Sequence, residues 1–248
     1  MTKLSLGGDP DAERDQVGAA DLLAGIAAHN LWLASEQQDG TRFNMPGANL
    51  IYAGFLEADM RHAGLAAACL VKANLRESNF AAADLSDADL EGASMVNINL
   101  SDARLPQANL YRVVSPGADF TDADLRGARL RSANLLSAVF LRSDLTAADL
   151  SDTNLAGATL RDSALAGANL SDAKLMMADL SGSDLSGADL ARAVMFGTTL
   201  LGTDLSGVDL STVIGLSEAQ LELATGNGAT RLPAEFATLS LPQAPARD

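Results

Sequence analysis

The chain has 248 residues, 48 % of them hydrophobic and only 4 % aromatic, which suits a domain with a core of small, similar side chains. Its 32 acidic and 17 basic residues give a net charge of −15, which argues against surfaces for nucleic acid or anionic membranes, because both need clustered Lys and Arg. The single cysteine, Cys69, excludes an intramolecular disulfide, and no apolar run approaches the ~18 residues of a membrane span, so a cytoplasmic location is expected.

The N-terminal region predicts a disordered segment over residues 1–18 and a helical cap over residues 19–40. Asp21 is a suitable N-cap for a helix that ends before Gly40. Three apolar residues recur near the helical spacing, namely Leu22, Ile26 and Leu33. This helix either covers the exposed end of the following domain or docks onto another molecule.

A five-residue repeat begins at Met45 and runs to Leu210 without insertion or deletion. Of its 34 key positions, 25 are Leu, four are Phe and four are Met, and Ser115 is the exception. Two residues earlier, 23 of the 34 positions are Ala, and one residue earlier 21 are Asp or Asn. The repeating unit is therefore A-(D/N)-L-x-x.

The period of five excludes both regular secondary structures. Steps of five would advance ~140° around an α-helix and scatter the leucines, and in a straight strand they would move Leu to the opposite face each time. A short extended stretch followed by a corner keeps Ala and Leu on one side and turns Asp or Asn outward. Stacking such coils buries one continuous column, as in solenoid proteins.

The segment Ala118-Asp-Phe-Thr-Asp-Ala-Asp-Leu-Arg-Gly127 resembles the pentapeptide-repeat family, and the resemblance covers residues from about 42 to 215. It implies an all-β fold, a right-handed quadrilateral β-helix with four pentapeptides per coil, over residues 41–215. Four large residues share a twenty-residue phase and are expected to stack on one side of that helix: Met60, Phe80, Phe120 and Phe140.

A second helical cap is predicted over residues 216–238, followed by a disordered tail over residues 239–248. Ser217 and Gln220 form a capping-box pattern that should open a helix of two to three turns, ending near Gly226 or Gly228. The family resemblance implies an alternative, because C-terminal segments mediate dimerisation in some members. The candidate dimer contacts are Leu221, Leu223, Leu232 and Phe236.

No catalytic, cofactor-binding or metal-binding residues are predicted, and the chain is not expected to be an enzyme. The D-x-D-x-E run from Asp87 to Glu91 resembles the start of a calcium loop, but Ile98 occupies the position of its bidentate acid. His29 and His62 have no nearby nucleophile with which to form a triad. A core filled by side chains leaves no room for a pocket.

Acidic residues concentrate in the C-terminal half of the repeat. Residues 41–143 contain 11 acidic and 10 basic side chains, whereas residues 144–215 contain 10 acidic and 3 basic ones. With four pentapeptides per coil, aspartates form two adjacent columns that Arg104 and Arg129 interrupt: Asp84, Asp124, Asp144, Asp184 and Asp204 on one side, and Asp89, Asp149, Asp189 and Asp209 on the next. The candidate interaction surface is the six aspartates from Asp144 onward.

Two hypotheses account for these columns. In the structural one, the Asp and Asn side chains accept hydrogen bonds from turn N–H groups, which both residue types can do. In the functional one, the aspartates imitate DNA, since the resemblance includes fluoroquinolone-resistance proteins that bind DNA gyrase by mimicking the duplex. Two full columns would place one charge per ~2.4 Å, against ~1.7 Å in the duplex.

The sequence therefore predicts a non-catalytic, rigid surface that binds a macromolecular partner, with inhibition of DNA gyrase as the alternative. The partner is expected to be a protein, with no direct contact to nucleic acid or membrane. A homodimer through the C-terminal end is the second partner prediction.

Overall fold

The computed structural model describes residues 16–243, which form a rod of stacked coils with a helix at one end. Helix α1 spans Ala19–Ala34, helix α2 spans Glu218–Leu221, and a short 3-10 helix spans Ala234–Phe236. The repeats lie between α1 and α2 and contribute isolated bridges rather than long strands. Within the described residues, no helix has both the length and the apolar character needed to cross a bilayer.

Successive coils are joined by parallel β-bridges between residues twenty apart, from Asn44–Gly64 to Val194–Ile214. Since each unit has five residues, every coil contains four units and has four sides. The predicted repeat β-solenoid is therefore confirmed, and its right-handedness stays a prediction.

The four sides are numbered here in chain order by the first residue of their outward-facing columns. Side 1 begins at Asn44, side 2 at Asn49, side 3 at Gly54 and side 4 at Asp59. Each column then repeats every twenty residues toward the C-terminal end.

One pentapeptide shows how the backbone groups are satisfied. The N–H of Leu70 donates to the carbonyl of Asp89 in the next coil at 2.6 Å, and the N–H of Lys72 donates to that of Glu91 at 2.9 Å. The corner is closed by a bond of 3.0 Å from the N–H of Ala73 to the carbonyl of Leu70. Lys72, the second corner residue, has φ 54°, so the corner needs a left-handed residue. A five-residue unit in a straight strand would turn the Ala and Leu side chains of the next unit outward. The corner turns the chain so that they point inward again.

The core is a column of Leu and Ala side chains that are almost completely buried along the whole rod. Phe120 and Phe140 lie one coil apart on side 4 and stack with parallel rings, their centroids 4.7 Å apart. Phe80 is equally buried in the same phase, and it meets Phe55 edge to face. The four residues of the predicted column are buried on side 4, but Leu100 separates Phe80 from Phe120, so only Phe120 and Phe140 stack on each other.

The N-terminal helix differs in detail from the prediction. It begins at Ala19, and Gly18 occupies the N-cap without a side-chain hydrogen bond, so Asp21 lies in the first turn and is not the cap. Residues 1–15, most of the predicted disordered segment, lie outside the described residues. Gln16, from the same segment, forms a bridge with Asn49.

The C-terminal end corrects the prediction of a helix of two to three turns. The capping box of Ser217 and Gln220 is present, but α2 stops at Leu221. The chain then forms an irregular coil in which Thr225 bridges Asp204 and Arg231 bridges Asp209. The physical reason is that the last regular coil presents unpaired backbone groups. An extended segment can pair with them, whereas a helix bonds its own backbone internally.

The predicted disordered tail is also partly corrected. Leu239 and Leu241 pack against the core cluster, and Gln243 bridges Gly226. Residues 239–243 therefore belong to the end cover. The rest of the predicted tail, residues 244–248, lies outside the described residues.

Candidate interaction surfaces

The outward Asp and Asn side chains share one local role. In twenty of the units, the Oδ1 atom accepts a hydrogen bond from the backbone N–H two residues later, over 2.9 to 3.4 Å. Asn99 and Asp119 do this with the same distance of 2.9 Å. The structural hypothesis therefore accounts for the residue type at this position, whatever other role individual aspartates have.

The acidic column of side 1 is interrupted. Asp144 is half-buried and binds the N–H of Thr146 at 3.0 Å, while Arg126 lies 3.7 Å from its other oxygen. Ala164 separates Asp144 from Asp184 along the bridge ladder. Asp204 is only 6 % exposed, because Thr225 of the irregular final coil forms a bridge with it. Asp204 is therefore not part of the predicted interaction surface.

The acidic column of side 2 is more open but equally sparse. Asp189 and Asp209 are exposed, and Asn169 lies between Asp149 and Asp189. Hydrogen bonds from Ser211, its hydroxyl first, hold the pKa of Asp209 below its usual value. The two columns contain the predicted aspartates on adjacent sides, but each carries neutral residues between its carboxylates.

A second surface, which the sequence analysis did not identify, lies at the corner between sides 3 and 4. Exposed apolar side chains follow one another there toward the C-terminal end, and we call them the apolar ridge: Leu136, Met176, Met177, Phe196 and Ile214. Met177 is 73 % exposed and Phe196 is 54 % exposed. Large apolar side chains with this exposure are unusual when they are contiguous.

The ridge is contiguous from Met176 to Ile214, where its members lie on consecutive coils, whereas Ala156 separates Leu136 from Met176. The Sδ atom of Met177 lies over Gly197, only 2.6 Å from where a Cβ would stand, and the ring of Phe196 lies equally close over Gly215. The N–H of Met177 donates to the carbonyl of Phe196 at 2.9 Å. From Leu136 to Ile214 the ridge spans about four coils, or roughly 19 Å at the usual strand spacing.

The ridge and the acidic columns lie on opposite edges of the rod. A corner between sides 3 and 4 is diagonally opposite the corner between sides 1 and 2, which carry the columns. The ridge itself borders few charges: Lys174 on side 3, Asp179 on side 4 and the ion pair of Asp172 with Arg192 at the next corner. Its sequence signal was present as large apolar residues at variable positions separated by multiples of twenty, Leu136, Met176 and Phe196.

The predicted dimer contacts are mostly part of the end cover. Leu221 is fully buried, and Leu232 and Phe236 are half-buried against the core. Leu223 is exposed beside the corner of Leu201, since its carbonyl accepts the N–H of Gly202. Leu221 is therefore corrected to a core residue, because no partner could reach its side chain in the folded protein.

The residues with chemical potential are dispersed. His29 is buried on the inner face of α1, His62 is exposed at a corner and Cys69 is half-exposed on side 2. Nowhere between residues 16 and 243 do three His, Cys, Asp or Glu side chains converge as metal ligands. An open depression near Asp209, Asn227 and Arg231 lies between the last coil and the final segment.

Comparisons with known proteins agree with this architecture. The family model "Pentapeptide repeats" matches in overlapping segments that together span residues 63–211, more than half of the chain. The crystal structure of HetL, a pentapeptide repeat protein involved in heterocyst differentiation regulation in the cyanobacterium Nostoc, is 28 % identical with a TM-score of 0.55. That match covers 88 % of this chain and 92 % of HetL.

QnrB1, a plasmid-mediated fluoroquinolone resistance protein, also resembles the chain, with 20 % identity and a TM-score of 0.43 over 79 % of this chain and 87 % of QnrB1. A search of curated proteins finds no match. The repeat in the sequence, the twenty-residue coil and the family match lead to one conclusion. The chain belongs to the pentapeptide repeat family.

Proposed function

We propose that the protein is a non-catalytic scaffold that binds a protein partner through the apolar ridge. The observation that carries this proposal is the contiguous exposure of Met177, Phe196 and their neighbours along one corner of the rod. Exposed apolar patches of this kind mark protein–protein contacts, and Met and Phe are enriched in them.

The rod favours such binding because it holds the ridge rigidly. Leu136, Met176, Met177 and Phe196 each follow a buried Leu or Met by one or two residues, and the N–H of Ile214 donates to the carbonyl of Ala193 in the adjacent coil. Little backbone entropy is then lost when a partner binds, whereas the flexible Met side chains can adapt to its shape. Filled coils leave no interior space for a substrate, which supports a binding role over catalysis.

The proposal is tested with three immobilised baits of the full-length protein in lysate from its own source. The baits are the wild type, Met177→Ser with Phe196→Ser, and Asp149→Asn with Asp189→Asn. Burying a large apolar side chain contributes roughly 1.5–3 kcal/mol. We therefore expect the ridge variant to capture at least about tenfold less of the specific partner than the wild type does, as quantified by mass spectrometry. The acidic-column variant should capture as much as the wild type.

Both variants should melt like the wild type. Met177 and Phe196 are exposed, Ser132 and Ser137 already occupy the corner position of Met177, and Asn keeps the hydrogen-bond acceptor at positions 149 and 189. Equal capture by all three baits, or a loss only with the Asn variant, contradicts binding through the ridge.

A second candidate function is inhibition of DNA gyrase by imitation of DNA, favoured by the aspartates of sides 1 and 2. Asp189 and Asp209 are exposed, but neutral residues such as Ala164 and Asn169 make the columns sparser than the duplex. Supercoiling assays test this candidate. If the protein imitates DNA, added DNA should relieve its inhibition of gyrase, and the inhibition should weaken as the salt concentration rises. Unchanged supercoiling at micromolar wild-type protein and low salt excludes this candidate.

A further inference from the structure

Helix α1 is apolar on both of its faces. Its inner face packs on the first coil through Leu22, Ile26 and the buried His29. Among its sixteen residues, Asp21 is the single charged one. The opposite face of α1 is exposed over its full length, and apart from Asp21 and Asn30 its exposed side chains are apolar, which is unusual for a helix face turned to solvent.

The apolar residues of the exposed face form a stripe near coiled-coil spacing, with the exposed Asn30 among them. We call the apolar residues the outer stripe: Ala20, Leu23, Ala24, Ala27, Leu31 and Ala34. Leu23 is 67 % exposed and Leu31 is 52 % exposed, more than most large apolar residues of the rod. Unlike the apolar ridge, this surface lies at the N-terminal end of the molecule.

The leucines and the terminal alanines of the outer stripe are symmetric about Ala27, whereas Ala24 has Asn30 as its counterpart. Leu23 and Leu31 lie four residues on either side of Ala27, and Ala20 and Ala34 lie seven residues on either side. In an antiparallel helix pair whose twofold axis passes Ala27, each leucine would face a leucine of the other copy. The two Ala27 residues would then allow close approach of the axes. A twofold interface requires this self-complementarity, and an unrelated partner does not.

The charge distribution favours the same arrangement. Each chain carries a net charge of −15, and the segment 144–215 alone has 10 acidic and 3 basic residues. Contact between N-terminal ends keeps these acidic halves at opposite ends of the assembly, whereas contact through the C-terminal ends would bring them together.

We propose that the outer stripe is the interface of a homodimer in which two copies meet through α1, antiparallel and N-terminal end to N-terminal end. Two helices about 24 Å long bury less than a standard interface, so the dimer should be of micromolar affinity and concentration-dependent. Salt should strengthen it by screening the repulsion between the two acidic rods.

Sedimentation of the full-length protein over concentrations up to roughly a hundred micromolar tests the affinity expected for this interface. Leu23→Asp with Leu31→Asp should remove the dimer while leaving the fluorescence of Trp32 unchanged, which shows that α1 stays docked. Leu201→Asp, the same change at a site 57 % exposed near the other end, is the matched control and should still dimerise. A full-length monomer at every concentration overturns the proposal, as does a dimer that persists in the Leu23/Leu31 variant.

Cross-linking tests the symmetry directly. In a Cys69→Ser background, Ala27→Cys should form a disulfide between two copies, because the axis brings position 27 against itself. Ala20→Cys alone should not, since its predicted neighbour is Ala34 of the other copy, and combining Ala20→Cys with Ala34→Cys should restore the bond. Equal cross-linking of Ala20→Cys and Ala27→Cys contradicts the antiparallel pairing.

The competing occupant of the outer stripe is residues 1–15 of the same chain. A protein that dimerises only after their removal would show that this segment covers the stripe in the full chain, and the proposal would be wrong.

Discussion

The second corner residue of each pentapeptide adopts a left-handed backbone conformation. Between Gly47 and Gly207 all thirty-three corners have positive φ, and twenty-two of them are occupied by residues other than glycine. Left-handed backbone costs an L-residue of the order of 1 kcal/mol. The ladder and turn hydrogen bonds must therefore outweigh this cost at every corner, and glycine should be the favoured residue wherever nothing else is gained.

Gly167 allows this cost to be measured. It has φ 65°, and a Cβ added there would meet nothing within 4 Å, so Gly167→Ala changes backbone strain without a clash. We expect the free energy of unfolding to fall by about 1 kcal/mol. Gly54 is the matched control, since it also has open space but no positive φ. Gly54→Ala should stabilise by roughly 0.4–1 kcal/mol, and equal shifts in denaturant melts would contradict this account.

Asp189 tests the local role of the outward acids. Its Oδ1 accepts the N–H of Ala191 at 2.9 Å. Asp189→Asn keeps the acceptor and should leave the melting temperature unchanged, whereas Asp189→Ala removes it and should cost roughly 0.5–1.5 kcal/mol. If both variants melt alike, the hydrogen bond has no measurable role and the residue type at this position needs another explanation.

This acceptor role could be predicted from the sequence because Asp and Asn alternate at one position and share only a short side-chain oxygen. The burial of Asp204 could not, since it depends on Thr225 in a segment that has left the five-residue period. The spacing in the sequence predicts on which side of the rod a residue lies. It does not predict which other segment covers that side where the end of the rod is irregular.

At the scale of the element, α1 is attached to the first coil through a buried histidine. The Nδ1 atom of His29 accepts the N–H of Phe43 at 3.0 Å, its ring stacks on Trp32, and Nε2 has no hydrogen-bond partner within the described structure. Burial lowers the pKa of His29, although Asp59 and the backbone of Arg61 oppose the shift. A proton on Nδ1 would remove the bond to Phe43.

We expect the attachment of α1 to weaken with acid. Because the folded pKa of His29 lies below the unfolded value of about 6.5, the unfolded state binds more protons in this range. The stability from neutral His29 is complete above about pH 6.5 and falls as the pH decreases toward the folded pKa. Fluorescence of Trp32, the single tryptophan, should report detachment on acidification, and His29→Gln should remove that transition.

His62→Gln is the control for this titration, because His62 is exposed and also lies near Trp32. If the fluorescence transition disappears with His62→Gln but persists with His29→Gln, His62 causes it and the account given for His29 is wrong.

The two ends differed in how far sequence could predict them. The inner face of α1 follows helical spacing from Leu22 to His29, so its existence was recognisable. The C-terminal cover pairs residues 21 and 22 apart, at Asp204–Thr225 and Asp209–Arg231, and such pairing leaves no periodic signal. The capping box of Ser217 correctly predicts where α2 begins, but a capping box does not determine how long the helix is.

At the scale of the whole molecule, the rod is a stack in which each coil contacts its two neighbours, so coils should be removable as units. Deleting residues 148–167 removes twenty residues and keeps every side in register. We expect this variant to fold, to melt cooperatively and to be shorter by about 4.8 Å in solution scattering. It should keep the ridge continuous, because Leu136 and Met176 stay at the same corner.

Deleting residues 148–157 is the matched control. It preserves the pentapeptide phase but moves everything downstream by two sides, so Met176 and Phe196 would join the corner between sides 1 and 2. This protein should also fold, yet it should lose partners that need the complete ridge. Failure of the twenty-residue deletion to fold would contradict the independence of the coils.

The ridge shows why the surface was harder to predict than the core. Leu and Ala recur in every unit, so the core pattern is visible after a few repeats. The ridge uses only one or two positions per coil, and its place on the rod is visible in the sequence only once the coil length of twenty is applied to apolar residues as well as to aspartates.

The hydrogen bonds between coils have a mechanical consequence, because they run along the axis of the rod and join segments that are neighbours in the sequence. Tension applied to the two chain ends loads the outermost coil alone, and its bonds break before those of the next coil are stretched. Each released coil frees twenty residues, or about 70 Å of chain. Under tension, the molecule should therefore unfold from its ends in equal steps at low force, and not in a single unfolding event at high force.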